Sequence, residues 1–106
     1  MRVLFDQGTP APLRAFLTSH EVRTAFEMGW STLDNGGLLT AAETAFDVFI
    51  TTDRHLRFQQ NLAGRRLAIV VLPTTSWPSI RDHVDEVAAA LETLAPGVCL
   101  EVVFKG

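Results

Sequence analysis

Two aspartates stand where predicted β-strands end. Asp6 follows the run Arg-Val-Leu-Phe, and Asp53 follows the β-branched and aromatic run Val-Phe-Ile-Thr-Thr. In a parallel sheet both carboxylates would project from one edge, where they repel each other unless a cation lies between them. Sites of this kind hold hard divalent cations such as Mg²⁺ or Mn²⁺, which support the hydrolysis of phosphodiesters. Aspartate also ends strands and caps helices, so a purely structural role is the alternative for both residues.

Positive charge is concentrated in the middle of the chain. Residues 54–81 contain five arginines and no acidic residue, whereas residues 1–53 and residues 82–106 each carry a net charge of −4. Local charge, more than the overall net charge of −3, decides whether an anionic ligand is held. Four arginines are predicted to follow the Asp53 edge and to bind RNA phosphates, namely Arg54, Arg57, Arg65 and Arg66. The alternative is a solvated face whose arginines bind no ligand.

Strands and helices alternate along the chain. Apolar and β-branched runs predict strands at residues 2–5, 20–25, 48–52, 67–72 and 98–104. Helical spacing, propensity and proline positions predict helices at residues 10–17, 38–46, 55–62 and 77–94. The chain of 106 residues is long enough for one core. We therefore predict a single α/β domain over residues 1–106, with three layers and a mostly parallel central sheet of about five strands.

Several other classes of protein are excluded by composition. A content of 47% hydrophobic and 20% charged residues is typical of a folded domain and excludes a disordered chain. The single cysteine cannot form an internal disulfide or a cysteine-based zinc site. The longest apolar runs are too short for a membrane helix, and no targeting segment precedes them, so we expect a cytoplasmic protein with no membrane partner.

Two sequence motifs resemble those of a known family. The segments LFDQGTP at residues 4–10 and FITTDRHL at residues 49–56 resemble the first and last acidic motifs of short bacterial PIN-like domain proteins. Members of that group begin with a strand ending in Asp, followed by Pro and a helix, and later carry a strand ending in Thr-x-Asp. The order of the elements and the chain length extend the resemblance over nearly the whole sequence. It implies a PIN-like fold and a Mg²⁺- or Mn²⁺-dependent endoribonuclease, often the toxin of a toxin–antitoxin pair, with RNA as substrate and a small antitoxin protein as partner.

The resemblance also implies roles for individual residues. Asp6 and Asp53 would be metal ligands and catalytic residues, and Thr51 or Thr52 would line the site. A third catalytic carboxylate is needed near the start of the central helix, and Asp34 is the residue we choose for it.

Three positions depart from the family pattern. Gln7, Asn35 and His55 stand at site-lining positions where such proteins tend to carry acidic residues. His55 could act as a proton shuttle or phosphate ligand, or it could simply be an early residue of the next helix. The departures support an alternative hypothesis, a catalytically degenerate PIN-like module that binds RNA or a partner protein without cleaving. The high apolar content adds a third hypothesis, association with a partner or with a second copy as a homodimer.

Overall fold

Five short strands form the central sheet of this computed structural model, which describes residues 1–56 and 64–105. The strands are β1 (Arg2–Phe5), β2 (Glu21–Thr24), β3 (Val48–Thr51), β4 (Ala68–Val71) and β5 (Cys99–Glu101). They lie in the order β2-β1-β3-β4-β5, and every neighbouring pair is parallel. The predicted α/β class with a mostly parallel sheet is therefore confirmed.

Helices cover both faces of the sheet, so the fold has three layers. They are a 3₁₀ helix (Ala11–Phe16), α1 (Asn35–Glu43), α2 (Trp77–Arg81) and α3 (Val84–Glu92). Because strand residues alternate between faces, Val3 and Phe5 join one apolar cluster while Leu4 joins the other. The first cluster also contains side chains of the 3₁₀ helix, α2 and α3, and the second contains those of α1. Within the described ranges, no helix has the length and apolar character needed to cross a bilayer.

The register of β1 and β3 brings the two predicted strand ends side by side. Phe5 is paired with Ile50, and Asp6 then donates its backbone N–H to the Ile50 carbonyl oxygen at 3.1 Å. Thr51 is the last residue of β3, and Asp53 follows two residues later. Since the strands are parallel, Asp6 and Asp53 both lie at the edge where the strands end, here called the carboxyl edge. The opposite edge, where the strands begin, is called the amino edge.

The prediction of one long helix over residues 77–94 is wrong, because two helices occupy that segment. The break falls at His83, whose backbone φ of −128° lies outside the helical range. Nδ1 of the His83 ring lies 2.7 Å from the carbonyl oxygen of Ser79. A side chain that binds a carbonyl of the preceding turn competes with the backbone ladder, which accounts for the interruption.

Other element bounds differ less from the prediction. Helix α1 begins at Asn35, three residues earlier than expected, because Oδ1 of Asp34 accepts the Gly37 backbone N–H at 2.8 Å and caps the helix. The helix predicted over 10–17 is the 3₁₀ helix, and β5 is shorter than the strand predicted over 98–104. The helix predicted over 55–62 lies largely outside the described residues.

Candidate functional site

The Asp6 carboxylate is held by three hydrogen bonds at the carboxyl edge. Only 7% of the residue is exposed. Its Oδ1 accepts the Thr9 backbone N–H at 2.9 Å and lies 2.6 Å from the Thr9 hydroxyl oxygen, while its Oδ2 accepts from the Thr51 hydroxyl at 2.5 Å. A carboxylate enclosed in this way requires such donors, and they determine its orientation. The sequence reasoning missed Thr9, although an aspartate commonly accepts the backbone N–H of a residue that follows it in a turn.

Thr51 connects the two aspartates. Its side chain is completely buried. The hydroxyl group donates to Asp6, and the same oxygen accepts the backbone N–H of Asp53 at 3.0 Å. One hydroxyl therefore joins the end of β1 to the segment that follows β3. The structure places Thr51 between the two predicted ligands.

The Asp53 carboxylate is held from a different direction. Its Oδ2 accepts from the side-chain amide nitrogen of Asn35 at 2.7 Å, and its Oδ1 accepts the backbone N–H of His55 at 3.0 Å. Asn35 is the first residue of α1, so the start of this helix contacts the carboxyl edge. His55 contacts the site through its backbone, and the role of its ring in proton transfer stays a prediction.

Asp34, chosen from the sequence as a third carboxylate, is not part of this network. Its carboxylate is exposed and serves as the N-cap of α1 through its bond to Gly37. The neighbouring residue Asn35 is the one that reaches Asp53. The Asp34 carboxylate is used to cap the helix, and its role as a third catalytic carboxylate stays a prediction.

The turn after β1 packs tightly against the end of β3. A Cβ atom added to Gly8 would lie 2.5 Å from Oγ1 of Thr52, so the close approach of the two segments requires glycine. Gln7 donates from its side-chain amide to the carbonyl oxygen of Ser31 at 2.8 Å. Thr52 thus lines the Asp6 turn, and Gln7 connects that turn to the loop after β2.

The start of the loop after β2 is stabilised by Glu27. Its carboxylate binds the Arg14 guanidinium through two hydrogen bonds of 2.6 and 3.0 Å. It also accepts the Thr24 backbone N–H at 2.9 Å, while Thr24 Oγ1 accepts the Glu27 backbone N–H at 3.1 Å. The hydrogen bond from Arg14, followed by that from Thr24, lowers the pKa of Glu27 to about 2. This loop is therefore anchored beside the candidate site by a reciprocal capping arrangement.

The predicted arginine cluster is divided between opposite ends of the sheet. Arg54 is exposed and follows Asp53 at the carboxyl edge. Arg65 and Arg66 precede β4, so they lie at the amino edge, and the prediction that they stand beside Asp53 is wrong. The reason is the parallel pairing of β3 and β4, which separates the residues before one strand from those after the other. Arg57 lies outside the described residues.

The oxygen atoms of the network are suitable for a hard divalent cation. A carboxylate offers about four acceptor positions, of which Asp6 uses three and Asp53 uses two. Among residues 1–56 and 64–105, no group of three His, Cys, Asp or Glu side chains converges as a metal cage. Mg²⁺ is commonly bound by one or two carboxylates together with water and substrate phosphate, and Asp6 and Asp53 are the two carboxylates at this edge.

Comparison with known proteins found no similar protein. No protein-family model, no curated protein and no solved structure matches the chain. The resemblance to PIN-like domains therefore rests on the sequence motifs around Asp6 and Asp53.

Proposed function

We propose that this protein is a divalent-cation-dependent endoribonuclease whose active site is the carboxyl edge around Asp6 and Asp53. The observation that carries the proposal is the hydrogen-bonded network in which Thr51 joins the two strand-end aspartates. Fixed carboxylates at adjacent strand ends are a common means of holding Mg²⁺ or Mn²⁺. When bound, such a cation supplies positive charge that attracts a phosphate group and stabilises the charge of its transition state.

The protein's own residues would position the carboxylates and the substrate. Thr9 and Thr51 keep Asp6 from rotating, and the Asn35 amide and the His55 backbone N–H do the same for Asp53. Such support preserves the distance between ligands, which catalysis requires to within a fraction of an ångström. Arg54 is exposed next to Asp53, where its guanidinium can bind a phosphate of the RNA backbone. The proposal follows the PIN-like resemblance in including a small antitoxin protein as partner and a cytoplasmic location.

The direct test is RNA cleavage with Mn²⁺ or Mg²⁺. Wild type, Asp6→Asn and Asp53→Asn would be assayed on single-stranded and structured RNA, with Asp85→Asn on the exposed surface of α3 as the matched control. We expect the two site variants to lose more than about 100-fold in rate. Loss of a residue that only supports a metal ligand costs about 10–100-fold, and loss of the ligand itself should cost more. The control should keep wild-type activity. If wild type leaves all RNA intact while a reference nuclease cuts, the proposal is overturned.

Asp34→Asn separates catalysis from capping. Asparagine caps a helix about as well as aspartate, so this variant should remain as stable as wild type. We expect it to keep its ribonuclease activity because Asp34 is outside the Asp6–Asp53 network. A large loss of activity with unchanged stability would restore Asp34 as a third catalytic carboxylate.

A second candidate function is RNA binding without cleavage. The observation in its favour is the amide of Asn35, which contacts Asp53 at the place where a further acidic residue would strengthen cation binding. Calorimetry with Mn²⁺ distinguishes the two functions. Mn²⁺ binding at or below millimolar concentration supports the nuclease. RNA binding with no detectable Mn²⁺ binding supports a protein that binds RNA without cleaving it.

A further inference from the structure

The contact between helix α1 and Asp53 is made by an asparagine that is followed by glycine. The chain contains two asparagines, Asn35 and Asn61, and the residues after them are Gly36 and Leu62. The side-chain amide of an asparagine can be attacked by the backbone nitrogen of the next residue. Glycine hinders this attack least because it has no side chain. Asn35 is therefore a position at which the chain can modify itself.

The start of α1 leaves the reacting groups accessible. Gly36 is the second residue of α1, so its N–H is one of those at the helix start that have no partner within the helix. Asn35 is followed by two glycines, Gly36 and Gly37, and glycine weakens a helical turn. Asn35 is also only partly buried, which leaves its amide within reach of water. The first turn of α1 can therefore open while the rest of the fold stays intact.

One hydrogen bond opposes this opening in the folded protein. The side-chain amide nitrogen of Asn35 donates to Asp53 Oδ2 at 2.7 Å, which fixes the direction of the amide. Because the acceptor is a carboxylate, the bond is charge-assisted, and breaking it reduces the open population by about 10- to 100-fold. The contact with Asp53 therefore slows an attack on the amide without preventing it.

We infer that Asn35 is a site of spontaneous deamidation whose rate is controlled by Asp53. The Gly36 backbone nitrogen bonds to the side-chain carbonyl carbon of Asn35, and the amide nitrogen leaves as ammonia with the proton that Gly36 releases. Water then opens the resulting five-membered imide. Opening at the side-chain carbonyl gives an aspartyl residue, and opening at the backbone carbonyl gives an isoaspartyl residue. Both products carry a carboxyl group in place of the amide.

Deamidation reverses the electrostatics of the contact with Asp53. The amide nitrogen of Asn35 is a donor to Asp53 Oδ2, whereas the aspartyl product presents a carboxylate there. Two carboxylates this close repel each other unless a cation lies between them. Without a divalent cation the product therefore loosens the start of α1, and with one it adds an oxygen ligand. The effect of the cation rests on the proposed function, whereas the deamidation itself does not.

Mass spectrometry of the full-length chain and its tryptic peptides measures the reaction. Wild type would be incubated in mildly alkaline buffer, folded in one sample and unfolded by guanidinium chloride in another. Trypsin places Asn35 and Asn61 in separate peptides, residues 24–54 and 58–65, so Asn61 is an internal control. Asp53→Ala removes the acceptor of the amide, and the exposed Asp85→Ala in α3 is its matched control. Gly36→Ala hinders the attacking nitrogen.

We expect Asn35 to deamidate about 10- to 100-fold more slowly in the folded protein than in the unfolded chain, and faster than Asn61 when unfolded. Asp53→Ala should remove most of the protection, whereas Asp85→Ala should not. Gly36→Ala should slow the reaction in both states. If folded wild type keeps its amide while the unfolded chain loses it, the inference is overturned, and this comparison decides if Asp53→Ala does not fold. A folded Asp53→Ala that reacts no faster than wild type also overturns it.

Variants that carry the product's charge test the reversed contact. Asn35→Asp reproduces the aspartyl product, and its urea midpoint in EDTA should rise when Asp53→Asn is added, because one of two facing charges is removed. The same Asp53→Asn change should lower the midpoint of wild type. Mn²⁺ should raise the midpoint of Asn35→Asp more than that of Asn35→Ala, which lacks both amide and carboxylate. A double variant no more stable than Asn35→Asp would overturn the inferred repulsion.

The outcomes distinguish this inference from the proposed function. Deamidation at Asn35 in a protein that neither cleaves RNA nor binds Mn²⁺ supports the inference and overturns the proposed function. RNA cleavage by a folded protein that keeps the Asn35 amide overturns the inference and supports the proposed function.

Discussion

The two edges of the sheet both carry acidic residues next to strands, but they use them differently. At the amino edge, Asp47 Oδ2 accepts the backbone N–H of Arg2 at 2.8 Å. Glu43 accepts the backbone N–H groups of Arg66 and Leu67 at 2.7 and 3.2 Å. At the carboxyl edge, the corresponding acids are oriented by hydroxyl, amide and turn donors around Asp6 and Asp53. The amino-edge acids thus complete the hydrogen bonding of strand beginnings, whereas the carboxyl-edge acids also accept from the side chains of Thr9, Thr51 and Asn35.

Neither cavity size nor the presence of charged residues distinguishes the carboxyl edge from the amino edge. The amino edge has a larger cavity, about 490 Å³ against about 400 Å³ for the groove beside Arg54 at the carboxyl edge, and it contains Glu43, Asp47 and Arg66. Its acids, however, are occupied by backbone N–H groups that would otherwise be unpaired at the start of β1 and β4. At the carboxyl edge, hydroxyl and amide groups of other side chains also donate to the two carboxylates and orient them. How the acids are hydrogen-bonded, and not how many there are, distinguishes the two edges.

The largest expected effect is that of Thr51→Val at the carboxyl edge. The change keeps the side-chain shape but removes the only hydroxyl that binds both Asp6 and the Asp53 backbone N–H among the described residues. Because Asp6 is enclosed, we expect the free energy of unfolding to fall by about 1–3 kcal/mol. Thr40→Val on the exposed surface of α1 is the control and should change it by less than about 0.5 kcal/mol. Urea denaturation at pH 7 measures both, and equal losses would mean that the network does not stabilise the carboxyl edge.

Glu43→Ala tests the amino edge. It removes the acceptor of two backbone N–H groups at the start of β4 and so destabilises the fold. Alanine has a higher helix propensity than glutamate, which restores a few tenths of a kcal/mol in α1. We expect a net loss of about 1 kcal/mol in the free energy of unfolding and no change in RNA cleavage. The exposed Glu92→Ala in α3 is the matched control for helix propensity. A fall in cleavage with little loss of stability would show that the amino edge takes part in function.

Gly8→Ala tests how tightly the turn after β1 packs. The new Cβ would lie 2.5 Å from Thr52 Oγ1, so that side chain must move, and we expect a loss of about 1 kcal/mol. Replacing Thr52 by alanine in the same chain removes the obstructing oxygen. The double variant should therefore be less destabilised than the sum of the two single variants, as measured by a double-mutant cycle in urea. Additive losses would place the strain elsewhere in the turn.

The smallest expected effect is the pH dependence due to His83 near the carboxyl edge. Its ring nitrogens face the carbonyl oxygens of Ser79 and Lys105, and both can be satisfied only by the protonated ring. The Ser79 carbonyl is the main cause that raises the pKa of His83, burial opposes the shift, and the Lys105 carbonyl, Glu86 and Asp82 add to it. Because the pKa is raised, the stabilisation is complete below the pKa of histidine in the unfolded chain, about 6.5. It is lost as the pH rises through the pKa of His83 in the folded protein.

Urea midpoints between pH 5.5 and 8.5 measure this effect, with His83→Gln as the variant that cannot titrate. Wild type should exceed the variant by more at low pH than at high pH. A difference that stays constant across the range would show that the contacts of His83 do not depend on its charge.

Much of the fold follows from local patterns in the sequence. The apolar runs identify all five strands, and the runs that are apolar without alternation, as in β4, indicate strands covered on both faces. The sequence likewise predicts the positions of Asp6 and Asp53 at strand ends. The break at His83 could not be predicted, because the apolar spacing continues through it and the contact of its ring with the Ser79 carbonyl has no signal in that spacing.

Composition and spacing thus determined the α/β class, the sheet's parallel character and the two aspartates that end strands. Only the tertiary structure decided that Arg65 and Arg66 lie at the opposite edge, that Asn35 and not Asp34 reaches Asp53, and that a groove adjoins Arg54. The reason is that periodicity reports local backbone and burial, whereas a contact such as that between Asp6 and Thr51 joins residues 45 positions apart. Such contacts depend on strand order and register, which arise when the whole sheet assembles.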